Sequence, residues 1–186
     1  LNNSFIISRS AFNVNGGDKF SKKPIEIRGD DLNKGGGIFL INTKQENFFK
    51  NIIFKNLTGN VNHILLNKYI IFGAINVYKS QLKLKDFEIN NMSSEDALNV
   101  ISSNFSISDG IFSDVDFDAI DSDYSEGFIN NLFFQNIKND ALDFSESKVN
   151  VSDIRFKNIG DKAVSCGENS EIKIKNFDIF KSFLGI

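Results

Sequence analysis

The chain has 186 residues, with 21 Lys and Arg against 24 Asp and Glu, a formal net charge of −3, one Cys, one Pro and 20 Phe. A single cysteine excludes an intrachain disulfide framework and a cysteine-built metal site, no apolar run reaches the length of a membrane span, and no nucleic-acid partner is expected. The length suffices for one domain with a continuous core, and with so little proline the turns must come from Gly, Asn, Asp and Ser.

Residues 1–37 are turn-rich, with Gly16-Gly17 and Gly35-Gly36-Gly37, and read as irregular N-terminal strands or a cap. From Ile38 a repeat takes over. The segments FKNIIFKNL (49–57), LKDFEINNM (84–92), ISDGIFSDV (107–115), INNLFFQNI (129–137) and VSDIRFKNI (151–159) share one pattern of apolar, polar and Asn/Asp positions. A second motif keeps the same register. Its alanines, Ala97, Ala119, Ala141 and Ala163, are spaced 22, 22 and 22, with Ala74 a further 23 earlier. Between Leu57 and Ala74 lie about 13 residues more than the usual gap, which predicts an inserted loop or hairpin at about 58–73. Gly185 falls where the next alanine belongs, so the stack stops as a new coil begins and the polypeptide is expected to continue.

Period-two alternation broken by Asn or Asp every five residues is a strand–turn–strand signal, and it rules out a helical reading. A unit this short cannot bury its own apolar face, but stacked units can. The prediction is therefore an all-β parallel β-helix over 38–186, about 22 residues per coil, with adjacent coils about 4.8 Å apart. Stacking turns aligned positions into columns. Phe54, Ile89, Phe112, Phe134 and Phe156 form one core column; Ile52, Phe87, Leu132 and Ile154 form a second, interrupted by Gly110; Leu98, Ile120, Leu142 and Val164 form a third. Two corner columns are polar: Asn51, Asp86, Asp109, Asn131 and Asp153, then Asn56, Asn91, Asp114, Asn136 and Asn158. Stacked Asn side chains can bond from coil to coil, an asparagine ladder. Cys166 shares a column with Val100, Ser122 and Phe144 and is expected to point inward and be inert.

Over residues 74–186 these repeats resemble bacterial right-handed parallel β-helix repeat proteins, including surface β-helix segments found beside spore-coat-protein-H-like kinase domains. The resemblance implies the right hand of the helix and a place in a larger secreted or cell-surface protein, but no settled activity. Pectate-lyase-like and polygalacturonase-like enzymes share the fold class at greater distance. Their signatures, a calcium-binding carboxylate cluster with a basic Arg or a trio of Asp, are not intact in a chain whose only Arg are Arg9, Arg28 and Arg155.

Charge is segregated along the chain. Residues 1–85 carry a net charge of +8, residues 86–137 hold 11 Asp and Glu with no Lys or Arg, and residues 138–186 balance to 0. In a solenoid this becomes a field along the axis, with an acidic belt in the middle. Within the belt, Asp121, Asp123 and Asp143 should share one outward face on neighbouring coils. Carboxylates that close repel one another unless a cation, a donor or a raised pKa relieves them, so they are the candidate site, with calcium as the possible ion. Asp96, Asp118 and Asp140 form a similar column read as turn caps. A second outward column places Ile53, Ile111 and Phe133 beside Glu88 and Arg155, an exposed apolar strip of the kind that marks a partner surface. These features favour a non-catalytic scaffold or a carbohydrate- or partner-binding surface, outside the cell or on its surface, requiring no cofactor. The alternative is a fragment of a polysaccharide lyase or glycoside hydrolase using the acidic cluster.

Overall fold

A computed structural model describes residues 4–30, 35–59 and 73–185. These form a β-solenoid of about six turns of about 23 residues, built from parallel sheets. One sheet has seven strands, in the order β1 (Ile6–Ser8), β4 (Ile38–Ile41), β6 (Gly73–Tyr78), β8 (Asp96–Ile101), β10 (Asp118–Asp123), β12 (Leu142–Ser145) and β14 (Val164–Cys166). The other runs from β15 (Glu171–Leu184) through β13 (Lys148–Lys162), β11 (Glu126–Ile137), β9 (Asn104–Val115), β7 (Gln81–Met92) and β5 (Glu46–Lys55) to β2 (Val14–Asn15), with β3 (Ile25–Arg28) also pairing β5. The early strands β1, β2 and β3 thus stack directly on the first full coil. The insertion predicted at about 58–73 falls largely on residues 60–72, outside the described residues.

The long strands of the second sheet bend twice, and the bends explain the Asn/Asp corners. Asn51, Asp86, Asp109, Asn131 and Asp153 all have φ between 50° and 58°, and Asn56, Asn91, Asp114, Asn136 and Asn158 lie between 54° and 56°. This is left-handed backbone, which Asn and Asp tolerate better than other residues with a Cβ. Their side chains then bond between coils. Asn158 Nδ2 donates to Asn136 Oδ1 at 3.0 Å, Asn136 Nδ2 to Asp114 Oδ1 at 2.9 Å, and Asn91 Nδ2 to Asn56 Oδ1 at 2.7 Å.

A third left-handed corner joins the two sheets, at Asn42, Lys79, Ser102, Tyr124, Glu146 and Asn169. Its mixed composition hides it in the sequence. What holds it is a buried hydroxyl ladder one residue further on. The N–H groups of Thr43, Ser80, Ser103, Ser125 and Ser147 each donate to the serine Oγ of the next coil, at 3.0 to 3.2 Å. The spacing of Ser80, Ser103, Ser125, Ser147 and Ser170 was readable as a column, but it lies outside both repeated motifs.

The core follows the predicted columns. Phe54, Ile89, Phe112, Phe134 and Phe156 stand opposite one another from strand to strand and are buried. The rings of Phe112, Phe134 and Phe156 stack, with centroids 5.1 and 5.4 Å apart. Leu98, Ile120, Leu142 and Val164 form the facing column beside fully buried alanines. Cys166 departs from its expected setting. It pairs with buried Phe144 in register, but among the described residues β14 is the outermost strand of its sheet, nothing there covers the thiol, and Cys166 is exposed.

Gly110 interrupts the second column because Phe87 on the preceding coil fills its place. A Cβ built at Gly110 would lie 2.1 Å from the Phe87 ring, and Gly127 stands in the same relation to Phe105 at 2.3 Å. Gly110→Val should therefore destabilise the fold by about 1–3 kcal/mol, the usual cost of overpacking. Adding Phe87→Leu should recover part of that loss if the ring is the obstacle. Urea denaturation of the two single variants and the double variant measures the coupling, and strictly additive losses would refute it.

Candidate functional site

The acidic face lies outside the first sheet. Register places Asn76, Asn99, Asp121 and Asp143 in one outward column, with Ser165 next. Asp123 sits two residues along from Asp121 on the same face, opposite Ile101 and Ser145. Asp121, Asp123 and Asp143 are thus brought together as the repeat predicts, all half-buried. The face extends deeper than that trio. Asn99 is buried and its Nδ2 donates to both Asp96 Oδ2 at 2.7 Å and Asp121 Oδ2 at 3.2 Å, so one amide group bridges two carboxyl groups. Among the described residues no set of three or more His, Cys, Asp or Glu is gathered as a metal site would gather them.

The electrostatic consequence is plain. Burial, then the charges of Asp96, Asp123, Asp143 and Asp118, pushes the Asp121 carboxyl up to about 8. Burial also lifts Asp96 to about 7, against the opposing hydrogen bond from Asn99. Asp118 rises to about 6 through burial, although the Asp140 N–H and Asn139 donate to it. Asp123 rises for the same first reason, with Asp143 adding to it. With Asp121 at about 8 and Asp96 at about 7, this face carries protonated carboxyl at neutral pH, able to serve acid–base chemistry or to act as a hydrogen-bond donor. Asp118 and Asp140 also cap the following coil, their Oδ1 atoms accepting the N–H groups of Asp140 and Lys162, each at 2.8 Å.

A groove of about 420 Å³ lies outside the second sheet, at its first bend. Its floor is the outward column Ile53, Glu88, Ile111, Phe133 and Arg155, one residue from each of five coils. Bend residues Asn51, Asp86, Asp109 and Asn131 form one side. Lys19 and Pro24 border it from the N-terminal segment, which buried Asn51 fastens down by donating to the carbonyls of Gly16 and Lys22 at 3.1 and 3.3 Å. Lys19 Nζ lies 3.0 Å from Asp86, and Lys85 Nζ 3.5 Å from Asp109, so those carboxylates are already answered. Glu88 is exposed, and the Arg155 guanidinium lies over the Phe133 ring at 5.4 Å. The sequence places the floor column correctly. Lys19 and Pro24 carry no signal, because they lie before the repeat begins.

No protein-family model matches this chain, and no curated protein matches it.

Proposed function

We propose that the chain is a non-catalytic segment of a larger secreted or cell-surface bacterial protein, a rigid scaffold that binds a carbohydrate or protein partner along its side. One observation carries the binding part: the groove floor sets Ile111 and Phe133 between a carboxylate with no ion pair among the described residues, Glu88, and a guanidinium, Arg155. A concave surface of this size, apolar with a few convergent polar groups, is the usual form of a ligand site. The scaffold part rests on the continuous core and the coil-to-coil ladders, which stiffen every turn against its neighbours.

The competing reading is a polysaccharide lyase or glycoside hydrolase that uses Asp121 and Asp143. It is favoured by their places on adjacent strands, close enough in principle for a carboxyl pair. Retention on immobilised glycans, followed by a reducing-end assay on whatever binds, separates the two. The binding reading expects retention that Phe133→Ala abolishes, with no new reducing ends. Cleavage that Asp121→Asn abolishes would establish the enzyme instead.

A further inference from the structure

The groove's own chemistry narrows its occupant. We infer that it binds an uncharged, extended glycan lying along the solenoid axis, with a sugar ring on Phe133; this rests on the side-binding reading above. The floor strands β7, β9 and β11 are each paired on both sides by parallel neighbours. Their backbone groups are therefore used within the sheet, and an extended peptide cannot add to it as a further strand. Recognition must come from side chains, repeated once per coil at about 4.8 Å. A ligand with its own short repeat, an apolar face and polar edges suits such a track.

The charges decide the class further. Lys19 is held by Asp86; among the described residues Arg155 is the groove cation with no ion pair and Glu88 the floor carboxylate with none. With Asp86 answered by Lys19 and Asp109 by Lys85, the charges left are Glu88 and Arg155, which sum to zero. A polyanion would gain no net attraction there and would meet Glu88 on the floor. Hydroxyl groups both donate and accept, so one repeating uncharged ligand can donate to Glu88 at one point and accept from Arg155 three coils on. Between them the half-buried Phe133 ring, one face of which the guanidinium covers, offers its remaining surface as an apolar contact for a sugar ring.

The test is an array of neutral hexose and N-acetylhexosamine oligomers beside uronic-acid and sulfated ones, followed by titration calorimetry on the best binder. Wild-type protein should bind neutral oligomers in preference to anionic ones. Phe133→Ala should weaken that binding about tenfold, the worth of one good aromatic contact. Glu88→Gln should weaken it less, and Phe128→Ala, exposed on the same strand but not lining the groove, should leave it unchanged. Preference for anionic oligomers, still lost in Phe133→Ala, would overturn the ligand class while leaving the groove as the binding site. No binding, or binding that Phe133→Ala leaves intact, would overturn both. Since Phe133 points outward, circular dichroism of the variant should match wild type.

Discussion

Phe134→Ala should cost the fold about 3–5 kcal/mol, the range for emptying a buried aromatic site. Phe134 is fully buried between the rings of Phe112 and Phe156, each stacked on it. A cavity in the middle of that stack has little means of collapsing, because the coils above and below are fixed by main-chain pairing on both sides of β11. Phe128 supplies the control. It lies in the same strand but is 63% exposed, so Phe128→Ala should stay within about 0.5 kcal/mol of wild type. Guanidinium denaturation, followed by both circular dichroism and tyrosine fluorescence, reads the difference and checks that the coils unfold together. A loss below about 1 kcal/mol for Phe134→Ala would place that ring outside the core, against the expected magnitude.

Stability should fall as the pH rises from acid to mildly alkaline. The Asp121 carboxyl sits at about 8 in the folded chain against an ordinary value of 3.8, and Asp96 at about 7. The folded state thus holds these protons more tightly than the unfolded state does. Their stabilising contribution is complete below about pH 4 and is lost as the pH passes through 7 and 8. Each pKa unit corresponds to about 1.4 kcal/mol; with screening at this half-buried site, about 1–3 kcal/mol is expected from Asp121. Asp121→Asn should remove much of the slope and stabilise the protein at pH 8.5. The replacement is modest, because the same column carries Asn76 and Asn99 on the two preceding coils and an amide oxygen can still accept from Asn99.

Melting at pH 5 and 8.5 tests this, and calcium gives it a second arm. An ion shared by Asp121, Asp123 and Asp143 is a proposal that addresses the same repulsion. At a hundredfold excess over its dissociation constant it would add about 2.7 kcal/mol at pH 8.5. Millimolar calcium, magnesium and EDTA distinguish the cases. A rise specific to calcium and lost in Asp121→Asn/Asp143→Asn would support the ion. Equal effects of both metals would reduce it to screening of the acidic belt. A flat pH profile in wild type would refute the proton-holding face itself.

The columns were legible in the sequence because a parallel solenoid converts sequence spacing into spatial contact. Residues 22 or 23 apart become neighbours, so Phe112, Phe134 and Phe156, the aligned alanines, both Asn/Asp corners and the outward row from Ile53 to Arg155 could be assigned from period and alternation alone. Even the meeting of Asp121 with Asp143 is a matter of register.

Three things were decided only by the tertiary structure. The third corner escaped because its left-handed position is filled by residues as different as Lys79, Tyr124 and Glu146, with the restraint carried by serines one place on. Gly110 reads as a gap in its column, whereas the Phe87 ring reaching from the neighbouring coil makes glycine the residue that fits. The position of Cys166 in the repeat gives its direction, but its exposure depends on whether another coil lies over it. Period and alternation specify which residues share a column and which side of the wall they face. How far a ring leans into the next coil, what an amide such as Asn99 bridges, and how deeply a carboxyl is buried depend on packing in three dimensions, and those are the quantities that set the charge state of Asp121 and the shape of the groove.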